Sequence, residues 1–259
     1  MIVGIFDFET TGLDVATCDI LEHAVILAEL DPRGEERPKV HAIDTALWNK
    51  PAKITEEITK LTGIDQQMVT RHGKPGSSAL QEALTLLGRA DFLVGHNLLQ
   101  YDRELLAREW LSLDGFAKVH SVFNKPCIDT MLDLPRLGKS GDLTYMAADY
   151  GIASPNAHRA IFDCITLLSL LGRMNAAAIA QAVEISTSEL VEVISDVTFH
   201  EKDKAKNRGY FFEPLSKSWR KVMRSAKFRA EQEEMAKVGV RILPYPVVFK
   251  FADRAKTSA

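Results

Sequence analysis

Asp7 and Glu9 stand one residue apart at the end of an apolar run, Ile2-Val3-Gly4-Ile5-Phe6, and Thr10-Thr11-Gly12 follows at once. On a β-strand residues i and i+2 point to the same face, so the two carboxylates project side by side. Like charges that close repel each other, and each is costly to bury unpaired. A divalent cation removes the conflict, and an oxygen-only ligand set suits Mg²⁺ or Mn²⁺. Thr10, Thr11 and Gly12 add hydroxyls, backbone donors and a turn beside that position. Two solvated acids at a surface strand end would carry the same sequence, so the pair gains meaning only from what converges on it.

Three further residues qualify. Asp102 opens a helix just after Gly95-His96-Asn97, and His158 and Asp163 flank the start of a long helix. In open α/β sheets chemistry gathers at strand ends and helix starts, so these elements can meet. Four acids and a histidine suit a site for two Mg²⁺ ions about 4 Å apart, one activating water and one stabilising the leaving oxygen. Histidine titrates near neutrality and is the residue type to take the proton from that water. Singly, His158 reads as a loop histidine, Asp163 as a helix-start carboxylate and Asp102 as a partner for a helix dipole. His96, at a strand end beside Asn97, reads as a hydrogen-bonding residue rather than a ligand.

The elements that must position these groups follow from periodicity. Residues 20–30 and 38–48 read as second and third strands, with Asp31-Pro32-Arg33-Gly34 as the hairpin turn between them. Thr55-Glu56-Glu57-Ile58 starts a short helix that Gly63 ends, and Ser77-Ser78 caps a helix with Leu80, Ala83, Leu84 and Leu87 on one face. A buried strand over 91–97, a helix from about Gln100 to Trp110, and a short strand over 127–137 running into a helix or loop complete the alternation. Asp142 to Gly151 is a short helix. Ala160 to Met174 is a strong one, with Ile161, Ile165, Leu168 and Leu171 as its core stripe. Three strands and then alternating helices and strands predict a mixed five-stranded α/β sheet flanked by helices.

The composition sets the class. The chain has 259 residues, 46% of them hydrophobic, and a net charge of −3; its mean hydropathy is −0.07. Cys18, Cys127 and Cys164 show no metal-ligand spacing and no disulfide framework. No stretch approaches the roughly 20 apolar residues of a membrane span, so the expectation is a cytoplasmic protein with no membrane partner. Charge is uneven: residues 1–199 hold 17 Lys/Arg against 28 Asp/Glu, whereas residues 200–229 hold ten against three. A basic segment behind an acidic body points to a polyanion partner, or to no more than a solvated basic face.

Three motifs in order carry a resemblance. Asp7-Phe8-Glu9-Thr10-Thr11-Gly12, Gly95-His96-Asn97-Leu98-Leu99-Gln100-Tyr101-Asp102 and His158-Arg159-Ala160-Ile161-Phe162-Asp163 resemble those of the DEDDh 3′→5′ exonucleases. These have a ribonuclease H-like fold and include the proofreading subunit of bacterial DNA polymerase III, exonuclease X and ribonuclease T. The second motif departs at Tyr101, where Phe is commoner; Glu56 to Asp65 and Cys127-Ile128-Asp129-Thr130 are lesser matches. The resemblance covers about residues 1–175. It implies that Asp7, Glu9 and Asp163 bind one metal, that Asp7 bridges to a second, and that Asp102 contacts the second directly or through water. It further implies His158 as general base, with Thr10, Thr11 and Leu13 holding the 3′-terminal nucleotide and Asn97 supporting the second motif. The implied reaction is removal of nucleoside 5′-monophosphates from the 3′ end of single-stranded or frayed DNA, as in replication or repair. An RNA-trimming exoribonuclease would use the same site and differ in contact with the 2′-OH. A non-catalytic nucleic-acid-binding or scaffold subunit would be expected to have lost a ligand, and none of the five is missing.

The expected division is an exonuclease domain over 1–178, a helical connector over 179–196, and a small basic α+β module over 197–259. Residues 197–222 resemble a module of some mobile-element and phage proteins with a Lys-x-x-Gly…Lys-x-Trp signature, with Phe212 where Trp is usual. Its Tyr210, Phe211, Phe212 and Trp219 either stack on single-stranded bases or form the module's own core, which is the expected fate of at least half of them. Residues 240–251 read as further strands. The module is a candidate for docking nucleic acid, or a polymerase or another replication or repair protein.

Overall fold

The computed structural model describes residues 1–49, 53–113, 120–135, 137, 141–247, 249 and 251–256. They form two compact units, one of Met1–Val183 with Phe249–Ala259 and one of Glu184–Val248. The first unit is built on β1 (Ile2–Thr10), β2 (Ile20–Glu29), β3 (Lys39–Asn49), β4 (Lys74–Pro75), β5 (Phe92–Gly95) and β6 (Cys127–Asp129). These strands make one mixed sheet in the order β4-β3-β2-β1-β5-β6. Strands β1, β2 and β3 pair antiparallel, and β5, β6 and β4 join in parallel. The sheet has six strands rather than the expected five. The extra one, β4, is two residues beside Trp48 and Asn49, too short to carry a periodicity.

Around the sheet lie α1 (Glu56–Thr62), α2 (Gln66–His72), α3 (Gly76–Leu87), α4 (Asp102–Ser112), α5 (Thr130–Asp133), α6 (Leu143–Asp149), α7 (Ala160–Leu171) and α8 (Ala176–Ser186). The Thr55 hydroxyl accepts the Ile58 amide at the start of α1, and Gly63 closes that helix at φ 71°, a left-handed conformation that favours glycine. Helix α3 departs from the expected Ser77-Ser78 cap. It starts at Gly76 behind Pro75, with no side-chain cap, because β4 fixes the entry instead.

Strand alternation sorts β1 into two faces. Gly4, Phe6 and Phe8 face one layer, where a Cβ on Gly4 would come within 2.9 Å of Leu87 and 3.1 Å of Ala90, so any larger residue would make these side chains shift. Val3 and Ile5 face the other, in a core shared with Ala24, Ile26, Cys164, Leu167 and Leu170. Helix α7 lies across β1 and β2 on this second face. Of its expected core stripe, α7 fully buries only Leu171. Its buried side is Ala160, Asp163, Cys164, Leu167, Leu170 and Leu171, whereas Ile165 is exposed and Ile161 and Leu168 only flank the core. The helix is turned so that Asp163 meets the strand, and leucines on both flanks make that rotation cheap.

The second unit is a four-stranded antiparallel sheet in the order β10-β7-β9-β8. Its elements are β7 (Leu190–Ser195), α9 (Lys202–Lys206), β8 (Phe211–Glu213), β9 (Ser218–Arg224), α10 (Ser225–Lys237) and β10 (Ile242–Pro246). Val193, Tyr210, Trp219, Met223, Met235 and Ile242 form its core, while Phe211 and Phe212 are exposed. Two of the four module aromatics are thus structural.

Two sequence expectations change here. The segment 179–196 is not one helical connector, because α8 ends at Ser186 and β7 follows; Val191 and Val193 point into the unit's core, a period of two. Among the described residues of 240–251 only Ile242–Pro246, β10, is a strand. Val248 and Lys250 lie outside the described residues, and Ala252–Ala255 forms a short helix, α11. That tail belongs to the first unit, where the buried Glu104 carboxylate accepts the amides of Phe251 and Ala252 at 2.9 and 2.7 Å. Ala255 in turn accepts the His120 amide. Because Glu104 sits two residues beyond Asp102, the tail braces α4. Glu104→Ala is expected to cost about 2 kcal/mol, the worth of hydrogen bonds to a buried charge, read as a lower urea midpoint. An unchanged midpoint would show that the tail does not brace the helix.

Candidate active site

Asp7 and Glu9 lie where β1 passes beyond the apolar part of its α7-facing stripe, and Asp163 is in the first turn of α7. One oxygen from each of the three carboxylates falls within 4.8 Å of the others. Asp102, 3% exposed at the start of α4, lies outside this group of three, and its carboxylate accepts the Phe8 amide at 3.1 Å. It is therefore pinned to β1 between the two acids of the first motif.

The electrostatics follow from this crowding. Burial and then repulsion from Asp102, Asp163 and Glu9 raise the pKa of Asp7 well above the carboxylate range. Burial, with Asp163, Glu22 and Asp102 adding to it, pushes Glu9 up to about 8. Asp163 rises to about 6, again chiefly through burial, although the His158 amide and charge pull the other way. So many carboxylates favour their protonated forms until positive charge arrives. The set is oxygen-only and mutually repelling, which fits a hard divalent cation.

His158 is exposed at φ 67°, a left-handed conformation rare for a residue with a side chain. Its amide donates to Asp163 Oδ2 at 3.0 Å, so the strained loop is fastened to a candidate ligand. Asp7, His96, Asp142, His158 and Asp163 line an open cleft of about 440 Å³. His96 holds the wall of that cleft, with Nε2 donating to the Gly141 carbonyl at 2.7 Å and Nδ1 at 2.9 Å from Thr130 Oγ1.

The expected nucleotide-holding residues are placed unequally. Leu13 is 91% exposed at the crest of the turn after β1. The Thr10 hydroxyl donates to the Gly12 carbonyl at 2.8 Å. Thr11 is turned inward, its amide donating to the Asp19 carbonyl and its hydroxyl accepting the Asp19 amide, both at 2.9 Å. Asn97, at φ 59°, donates its amide to Asp129 Oδ1.

Three residues went unassigned in the sequence. Glu22, 3% exposed on β2 opposite Glu9, accepts from Arg159 Nη2 at 2.7 Å and Nε at 3.1 Å, and from the Ala160 amide at 3.0 Å. Glu22 and Arg159 thus fasten the end of the His158 loop to β2. Asp129 takes the amides of Asn97, Leu99 and Met131 and so shapes the turn that leads to Asp102. The usable signal for Glu22 was a carboxylate inside the apolar run Ile20 to Ala28, which must find a partner to be buried.

A family model for the RNase_T exonucleases matches residues 5–171, the span that holds all five candidate residues. The chain belongs to this exonuclease family. Its exonuclease domain has a ribonuclease H-like fold shared with solved structures of exonuclease I. The zinc-bound complex of Escherichia coli exonuclease I with single-stranded DNA superposes with a TM-score of 0.60 at 15% identity, over 80% of this chain and 50% of that one. The same enzyme with a dA16 oligonucleotide gives 0.59 at 14%, over 80% and 50%. Exonuclease I from Methylocaldum szegediense gives 0.53 at 18%, over 76% and 48%. At these identities the likeness is one of fold, and the chain spans about half the length of these structures. A search of curated proteins gave no match. No single helix among the described residues is long and apolar enough to cross a membrane.

Proposed function

We propose that this exonuclease-family chain is a metal-dependent 3′→5′ exonuclease that shortens single-stranded or frayed DNA and releases nucleoside 5′-monophosphates. The observation that carries the reading is the meeting of Asp7, Glu9 and Asp163 within 4.8 Å, with Asp7, Asp163 and His158 lining one cleft. Asp7, Glu9 and Asp163 would hold the first ion, with Asp7 and Asp102 turned to a second. Mg²⁺ bound there, or Mn²⁺ in its place, supplies positive charge that acidifies a water and offsets charge building on the phosphate oxygens.

In this reading His158 accepts the proton of the attacking water as its oxygen bonds to phosphorus and the bond from phosphorus to the 3′-oxygen breaks. The leaving 3′-oxygen takes a proton from solvent, so the shortened strand departs with a 3′-hydroxyl. Its exposure on a loop lets His158 exchange the proton of the attacking water with solvent between turnovers. Thr10 and Leu13 follow Glu9 in the chain and in this reading would hold the terminal nucleotide. DNA is favoured over RNA because exonuclease I structures of the same fold were solved with single-stranded DNA.

A gel assay with 5′-labelled single-stranded DNA and RNA of one sequence tests this. The expected result is a ladder shortening from the 3′ end of the DNA with Mg²⁺ and none with EDTA. Faster shortening of RNA would move the substrate to RNA. No shortening of either strand with Mg²⁺ or Mn²⁺ would leave a binding subunit.

A further inference from the structure

Tyr101 is where the second motif departs from the pattern it resembles, and the departing group is a hydroxyl. The ring is half-buried at the start of α4, and its O–H donates to the Gly12 carbonyl. The same oxygen lies 2.6 Å from Thr10 Oγ1 and 3.8 Å from Cys18 Sγ. One atom therefore touches the first, third and ninth residues of the loop that leaves β1. Seven residues on, two turns along the same side of the helix, Arg108 Nη1 donates to the Val15 carbonyl at 2.7 Å, and Nη2 is held by Glu109 at 2.6 Å. Helix α4 thus grips this loop twice, and Asp102, next to Tyr101, takes the Phe8 amide from the strand before it.

We infer that Tyr101 is a positioning residue for substrate: with Arg108 it clamps the 10–18 loop onto α4 and so fixes Thr10 and Leu13 relative to the carboxylates. This rests on the exonuclease reading above and adds to it a group that reading does not use. The physical reason is entropic. Leu13 stands almost wholly in solvent, so its direction is set by the backbone beneath it. A loop ordered before binding need not be ordered by the substrate, whereas a loosened one charges that cost against affinity. The carboxylates and His158 do not touch the phenol, so the step after binding keeps its rate.

The test is steady-state kinetics on a 5′-labelled single-stranded oligodeoxynucleotide with Mg²⁺, for wild type, Tyr101→Phe, Arg108→Gln and the double variant, with thermal melting of each. Phenylalanine keeps the ring and removes only the hydroxyl. Tyr101→Phe is expected to raise KM about three- to tenfold, the worth of one neutral hydrogen bond. Its kcat should stay within about twofold and its melting temperature should be unchanged. The double variant should raise KM further than either single one. An unchanged KM in Tyr101→Phe, a fall in kcat with KM unchanged, or a loss of melting temperature alone would each overturn the inference while leaving the exonuclease reading in place. An inactive wild type would instead overturn that reading, and this inference with it, before any variant is compared.

Discussion

Asp7→Ala is expected to abolish hydrolysis, a fall of about a thousandfold or more, since metal catalysis is worth several kcal/mol and each 1.36 kcal/mol is tenfold in rate. The same substitution should leave the fold intact and, without metal, make it more stable. Asp7 is held among Glu9, Asp102 and Asp163, and each raises its pKa on top of burial. The sign follows from linkage. An acid whose folded pKa is raised binds its proton more tightly in the native state, so stability falls as pH rises from the unfolded value through the folded one. With Asp163 at about 6 and Glu9 at about 8, the metal-free protein should lose stability between about pH 4 and 8. That loss should read as a drop of about 5 °C or more in melting temperature. Asp7→Ala should flatten the slope, and Mg²⁺ should raise the melting temperature of the wild type much more than that of the variant. A metal-free melting temperature that rises over this window, or equal Mg²⁺ stabilisation of both proteins, would remove Asp7 from the metal site.

His158→Ala is expected to lower kcat by about 10²- to 10⁴-fold, the range of a positioned general base, with much less change in KM. The tie between loop and site runs through the backbone: the His158 amide, not its ring, donates to Asp163. Alanine keeps that bond, and Glu22 continues to hold Arg159 and Ala160. The variant should therefore melt like the wild type and keep its Mg²⁺ response, which separates loss of the base from loss of the site. An unchanged kcat would show that another group takes the proton.

These two predictions use residues that were legible before any coordinates, and for a local reason. Asp7 and Glu9 share a face because a strand has a period of two, and Asp102, His158 and Asp163 stand at helix starts announced by loop residues before them. The sheet, its helices and the five candidate residues were within reach of periodicity and motif spacing. What needed the tertiary structure depends on contacts between residues far apart in sequence. Periodicity could not choose between two leucine-rich sides of α7, because both are apolar; contact with β1 and β2 chose the side carrying Asp163. Glu22 and Arg159 lie 137 positions apart, and nothing local marks them as partners. Glu104 and the tail amides it accepts lie 147 positions apart at Phe251, so nothing local pairs them either. Trp219 and Phe212 are opposed neighbours in one hairpin, yet one is core and the other exposed, because Trp219 is on an inner strand and Phe212 on the edge. The sequence determined which groups can do the chemistry. The fold decided which of them meet, how their charges shift, and what holds them there, since each of these is set by neighbours through space rather than along the chain.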